Sequence, residues 1–258
     1  MSRADPIAGG YLLRALEYLP LAILALAWEA LVRSGLVSPS VLPPFSEVVI
    51  EFFRLAGNGV IFEHAAISLR RVVAGLGLAI VFGVGAGLLM ASSRPVRVVL
   101  NPVLGLLYPL PKSALVPLFM LLLGLGDASK ILLIFIGCLL PIVTNAFNGA
   151  RGVDEKLMWS AANLGADRFE LFRVRFNAAL PDILTGCRTG VAFAFILLIN
   201  AELIFGQDGL GYLIASTGGL GAYPTMFAVV LLVVALGFVA DRLFGLIERQ
   251  TLRWRTTA

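Results

Sequence analysis

Charge is scarce in this chain. Only 14% of its 258 residues are Asp, Glu, Lys or Arg, where soluble domains carry about 25%. That shortage excludes an ordinary soluble domain. Histidine is scarcer: His64 stands alone beside Glu63, and one imidazole does not make a metal site, so no metal is expected. The two cysteines, Cys138 and Cys187, sit in or beside apolar runs and are expected as small buried side chains. Also missing is any G-x-x-x-x-G-K-[ST] run, since none of Lys112, Lys130 and Lys156 follows a glycine. A P-loop holds phosphates with backbone amides and that lysine. The chain is therefore not expected to hydrolyse ATP by that route. No set of His, Asp or Ser has catalytic spacing, so a membrane enzyme is disfavoured.

What fills the sequence instead is apolar residue, 59% of it, gathered in long runs. A helical span needs roughly 20 mostly apolar residues. Six spans are expected, at about 18–34, 72–91, 100–123, 129–148, 188–206 and 224–246. All should be helices, because lipid offers no partner to an unpaired backbone group. The N-terminus lacks the short apolar core and small-residue cleavage site of a signal peptide. The first run, from Tyr18, is therefore expected to stay as an anchor. Glu29 and Arg33 lie four apart and can pair on one helix face.

Charge then orients the spans. With the N-terminus inside, the inner segments hold most of the Arg and Lys, including Arg94, Arg97, Arg151, Arg168, Arg173, Arg175, Arg188 and the termini's Arg3, Arg14 and Arg255. The outer segments hold Arg33, Arg54, Arg70, Arg71 and Lys130. This obeys the positive-inside rule and places both termini in the cytoplasm. The net charge of +4 is then a matter of topology, with no nucleic-acid partner implied.

Two loops are long. In the outer one, 35–71, Phe45, Val48, Val49, Phe52 and Phe53 approach helical spacing, which suggests a helix lying on the membrane or on the protein. The inner one, 149–187, is the most polar stretch, with Phe169, Phe172 and Phe176 three and four apart. The glycines at 206, 209, 211, 218, 219 and 221 read as a turn-rich outer loop. In the second span Gly75, Ala79, Gly83 and Gly87 recur every four residues, a small face that admits a neighbouring helix.

The inner loop reads Trp159-Ser160-Ala161-Ala162-Asn163-Leu164-Gly165-Ala166-Asp167-Arg168-Phe169-Glu170-Leu171-Phe172, then Val174 and Ala179-Leu180-Pro181. The pattern predicts a helix, a small-residue break at Gly165-Ala166 and a second short amphipathic helix. Such a knob fits a groove on a cytoplasmic partner. The same aromatics could instead lie on the membrane.

This loop resembles the EAA loop of permease subunits of bacterial ABC importers of the type I fold. Ala161, Ala162, Gly165, Phe172, Val174 and Pro181 match in order and spacing, while Ser160 stands where that family usually has Glu and Asn177 where a first proline is usual. Leu42-Pro43-Pro44, Ser68-Leu69-Arg70-Arg71, Pro109-Leu110-Pro111-Lys112 with Pro117, and Asn200-Ala201-Glu202 with Gly209-Leu210-Gly211 are similar to the nitrate/sulfonate/taurine branch. The resemblance implies an all-α integral membrane protein forming one permease domain over 1–258. It implies a second permease copy, two P-loop ATPase subunits that bind ATP and Mg, and a periplasmic or lipid-anchored solute-binding protein. The membrane would be the bacterial cytoplasmic (inner) membrane. The coupling helix is expected near 163–172, with Ala161, Ala162, Gly165, Ala166, Asp167, Phe169, Phe172 and Pro181 as docking residues. The branch points to small anions such as sulfonates, taurine, nitrate or bicarbonate, and related permeases serve vitamin precursors and aromatic acids.

Pathway residues are expected where polarity enters the spans. Pro109 and Pro111 interrupt the third span, and broken helices tend to line cavities. Lys112 beside them lines a wet route for an anion, snorkels, or pairs with an acid, Glu202 being one option. Asn200 and Glu202 lie near the outer end of span five, where the acid pairs with a cation, makes a gate contact or marks a helix end facing water. A secondary transporter or channel working alone is the competing class. Such proteins often carry inverted repeats and paired intramembrane ions, and no internal repeat is visible here.

Overall fold

The computed structural model describes the backbone of residues 6–254 and the side chains of residues 18–254. The termini's Arg3 and Arg255, and the side chain of Arg14, lie outside the described residues. The chain runs through α1 (Pro6–Arg33), α2 (Phe45–Gly57), α3 (Val60–Ser92), α4 (Arg94–Leu107), a 3-10 turn (Lys112–Ala114), α5 (Leu115–Leu123), α6 (Asp127–Arg151), α7 (Glu155–Asn163), α8 (Arg168–Phe205), α9 (Leu210–Gly219) and α10 (Tyr223–Thr251). Among the described residues α3, α6, α8 and α10 are long and apolar enough to cross a membrane, and α4 with α5 makes a fifth candidate, bent by 82°.

The centre is a trio of α3, α6 and α8, brought close by missing side chains. A Cβ added to Gly75 would lie 2.7 Å from Cβ of Ile134, one on Gly83 2.8 Å from Cγ2 of Ile142, and one on Gly87 2.6 Å from Cβ of Ala146. The four-residue repeat of small residues is thus the seam on which α6 rests. On the other side of α6, Gly137 receives Leu197 of α8 and Gly186 of α8 receives Asn145. Cys138 and Cys187 are free and buried here, with Cys138 Sγ donating to the Gly190 carbonyl at 3.2 Å.

A second apolar cluster joins α2 to α10 through Val48, Leu55, Ala228 and Val229. α1 is tied to it at one end. The Trp28 indole donates to the Pro43 carbonyl at 3.0 Å. Glu29 accepts from the Ser46 amide at 3.0 Å and from Arg33 Nε at 2.6 Å. Glu51 on α2 takes Arg54 and the Thr225 hydroxyl, each at 2.7 Å. The Arg54 guanidinium holds the Glu51 carboxyl below the usual carboxylate range. That tie is therefore complete above the ordinary carboxylate pKa and is lost as pH falls through the depressed one.

Four expectations are corrected. Residues 60–71 are not loop: α3 starts at Val60, which puts Arg70 and Arg71 on a helix. The third span, 100–123, is not one kinked helix. Pro109 and Pro111 have no amide to donate, residues 108–111 leave the helix, and the chain turns through 82° before α5. The second inner helix is not short. It is the start of the 38-residue α8, about 57 Å long at 1.5 Å per residue, so one end projects well past a hydrocarbon core of about 30 Å. The glycine-rich stretch after 206 is not all turn, because Leu210–Gly219 forms α9.

Candidate functional site

Two polar assemblies sit at opposite ends of α8, about 50 Å apart by helical rise. The first is the turn between α7 and α8. Asp154 caps α7 by accepting the Lys156 amide at 2.9 Å. At its other end the Gly165 amide donates to the Ala162 carbonyl at 3.0 Å and the Ala166 amide to the Ala161 carbonyl at 3.1 Å. Those two bonds make a Schellman cap, whose C′ residue must be left-handed. Gly165 has φ 89° there, and a Cβ on it would meet nothing within 4 Å. Asp167 then opens α8 with a capping box: it accepts the Glu170 amide at 2.8 Å, and Glu170 accepts the Asp167 amide at 3.0 Å. The motif's small and acidic residues are thus the hardware of a tight helix–turn–helix.

That turn presents apolar side chains to the outside. Leu164 is 89% exposed and Phe169 72%, with Trp159 and Phe172 also exposed. An open cleft of about 670 Å³ runs beside them, lined by Ala161, Leu164, Ala166, Glu170, Arg173 and Asn177. Pro181 lies inside α8 rather than at a helix end, and its carbonyl accepts the Thr185 hydroxyl at 2.9 Å. The expected coupling segment 163–172 straddles the turn, from the last residue of α7 into the first residues of α8.

The second assembly is a buried ion cluster built on Arg71, whose side chain is 1% exposed. Nη1 of Arg71 donates to Glu202 Oε1 at 2.6 Å, Nε to Asp127 Oδ1 at 2.8 Å, and Nη2 to Asp208 Oδ1. Arg70 also meets Asp127, from outside. Glu202 is fully buried and accepts from the Ser68 hydroxyl at 2.9 Å and the Gly211 amide at 2.9 Å. Ser68 in turn accepts the Leu210 amide at 2.9 Å, and His64 Nδ1 accepts the Gly209 amide at 3.0 Å. Lys130, buried as well, donates to the Leu125 carbonyl at 3.1 Å and stands 3.7 Å from Asp208 Oδ1. The cluster fastens α3, the start of α6 and the α8–α9 linker. Gly209 and Gly211 let the linker close on Glu202: a Cβ on Gly209, at φ 93°, would lie 2.3 Å from Glu202 Oε1.

The expected pathway residues are dispersed. Glu202 belongs to the Arg71 cluster and does not pair with Lys112. Lys112 Nζ donates to the Tyr108 carbonyl at 3.0 Å and lies 5.9 Å from the Tyr108 ring centroid. Among the described residues no carboxylate pairs with it. The turn that carries Lys112 packs on α8, and Pro109 and Pro111 beside it are exposed. Asn200 is half-buried in a groove of about 550 Å³ between α8 and α10, lined by Phe195, Ile199, Val233 and Phe238, with Asp241 at the groove. Asp241 there is held in a two-point pair by Arg188, at 2.7 and 2.8 Å.

Sequence reading missed Arg71, Ser68, His64, Asp127, Lys130 and Asp208 as a unit. A signal existed. Extending the small-residue repeat back four places from Gly75 lands on Arg71, so the arginine shares the packing face.

Comparisons with known proteins fit this geometry. Residues 79–253 match a family model described as binding-protein-dependent transport system inner membrane component. The chain is 32% identical over 240 residues to the taurine transport system permease protein TauC of Escherichia coli (strain K12), covering 91% of this chain and 87% of that one. It is 35% identical over 240 residues to the putative aliphatic sulfonates transport permease protein SsuC of Bacillus subtilis (strain 168), covering 93% and 87%. A chain of the inward-facing MetNI methionine ABC transporter has the same fold, with a TM-score of 0.64 at 18% identity over 74% of this chain and 96% of that one.

Proposed function

The chain belongs to the family of binding-protein-dependent transport system inner membrane components and is a membrane-embedded ABC transporter permease; from that premise we propose that it forms the channel of an importer for small anions of the sulfonate or taurine class. The observation that carries the coupling half of this reading is the apolar turn at Trp159–Phe172. It stands at the N-terminal end of α8, the end we place past the bilayer, it is capped on both helices, and nothing among the described residues covers it. Such a knob suits a groove on a separate P-loop ATPase, which would bind the ATP and Mg. Two ATPase copies, a second permease copy and a periplasmic or lipid-anchored binding protein complete the proposed complex. ATPase closure would push α7 and the turn. Because α8 is continuous, the push would reach the Arg71 cluster and tilt the bundle as packed units.

The proposed orientation is the expected one: a single domain of six spans, counting α1 and the bent α4–α5 pair, with both termini on the cytoplasmic side of a bacterial inner membrane. The substrate class rests on the names of TauC and SsuC and on Lys112, a lysine at the broken helix with no carboxylate partner among the described residues. Affinity capture of the tagged permease from membranes should recover a P-loop ATPase subunit. Recovery of the permease free of any ATPase, under conditions that preserve known complexes, would sink the reading.

Lys112 gives a test of the route. Lys112→Ala removes a positive charge beside the bend and costs no ion pair. Uptake of an anionic substrate should fall about tenfold or more while protein yield stays unchanged. Uptake at the unaltered rate would remove Lys112 from the pathway.

A further inference from the structure

Among the three carboxylates around Arg71, one is held differently. Glu202 is inside α8 and fully buried, with partners for both oxygens. Asp127 opens α6 and is shared by Arg70 and Arg71. Asp208 instead sits on the short linker 206–209 between α8 and α9, with its side chain 43% exposed. Its Oδ1 lies between two buried cations, Arg71 Nη2 and Lys130 Nζ. Its Oδ2 has no hydrogen-bond partner among the described residues. That unpartnered oxygen and the 43% exposure put the carboxylate at the edge of solvent.

Lys130 decides what would replace it. Its side chain is fully buried, and Asp208 is its one carboxylate within 4 Å among the described residues, whereas Arg71 keeps Asp127 and Glu202. Withdrawing Asp208 leaves the buried ammonium of Lys130 with no carboxylate in contact. An unpaired buried charge is strongly unfavourable, so the vacated place accepts one negative charge. The guanidinium edge and the ammonium of Lys130 are donors suited to oxygens rather than to a bulky or apolar ion. Among the described residues Lys130 is otherwise satisfied only by the Leu125 carbonyl, so it gains most from a closer anion than the 3.7 Å one it has.

We propose that the Arg71–Lys130 pair is a binding site for the oxyanion head of a monovalent ligand, occupied in the resting protein by the side chain of Asp208. The site lies at the end of α8 opposite the α7–α8 turn. Resting on the importer reading, it is where an anion arriving from outside first meets buried positive charge. Displacing the Asp208 side chain would release that tie alone, since the Asp208 carbonyl still accepts Arg71 Nη1 at 3.4 Å and Gly209 and Leu210 stay held by His64 and Ser68.

The test needs neither ATPase nor binding protein. The full chain in nanodiscs is melted in sodium ethanesulfonate and in sodium chloride, whose anion has no oxygen, at equal ionic strength. Asp208→Asn, and Asp208→Ser as a smaller second variant, should melt several degrees lower than wild type in chloride and regain stability in ethanesulfonate. Ethanesulfonate should bind them about tenfold or more tighter than wild type, by calorimetry. Asp208→Asn combined with Lys130→Met restores charge balance and should show no difference between the salts. Equal melting of both Asp208 variants in the two salts, or an equal ethanesulfonate gain in the double variant, would overturn the site. Either result would leave the importer reading standing, since coupling is measured elsewhere, at the α7–α8 turn.

Discussion

Arg71→Met is expected to abolish accumulation of folded permease in the membrane. Methionine fills much of the same volume, but Glu202 is left as a fully buried carboxylate without its cation, and Asp127 and Asp208 lose a shared donor. Breaking a buried ion pair by removing one partner costs about 3–5 kcal/mol, a large part of the stability of an ordinary domain. The loss is specific in origin. Arg71→Met combined with Glu202→Gln removes the uncompensated charge and keeps the amide in reach of Ser68 and Gly211, so yield and monodispersity should recover in part. Chromatography of detergent-extracted protein reads both. Equal behaviour of the single and double variants would show that the uncompensated Glu202 charge is not what the single variant suffers from.

At the other end of α8 the expected effect is on coupling rather than folding. Gly165 needs φ 89° for the Schellman cap, a conformation that costs a β-branched residue roughly 1–2 kcal/mol. No atom lies within 4 Å of an added Cβ, so the cost falls on the turn and not on packing. Gly165→Val should leave the protein in the membrane at normal level, re-aim α7 and lower ATP-driven uptake about tenfold or more, because a misplacement of about 1 Å already costs coupled machinery dearly. Asn tolerates the left-handed region, so Gly165→Asn should retain most uptake. Valine and asparagine variants with the same rate would mean that the cap geometry does not set the docking surface.

These two ends were unequally legible in the sequence. The α3–α6 seam followed directly from Gly75, Ala79, Gly83 and Gly87, since a four-residue repeat of small residues has one helical meaning. The order Ala161-Ala162…Gly165 was legible as a motif, but its physical content, two backbone bonds closing a left-handed turn, was not. Hydropathy hid the Arg71 cluster. An arginine pair reads as the edge of a span, and only three-dimensional closure of residues 68, 71, 127, 130, 202 and 208 shows that opposite charges meet there. The same bias cut α8 short: the polar residues of 168–187 read as an inner segment holding only a short second helix, although no residue there breaks a helix except Pro181, which the structure accommodates inside α8. For α4 and α5 the prolines were visible, but a kink and an 82° turn leave the same trace in composition.

The central claim is that this chain conducts a solute only when a separate ATPase drives it. The direct measurement is uptake of radiolabelled taurine or ethanesulfonate by proteoliposomes holding the permease, its co-purifying ATPase and a solute-binding protein. Uptake is expected to require internal ATP, to stop when the ATPase cannot hydrolyse it, and to fall with Gly165→Val. Uptake of equal rate by the permease alone, without ATP, would contradict the account.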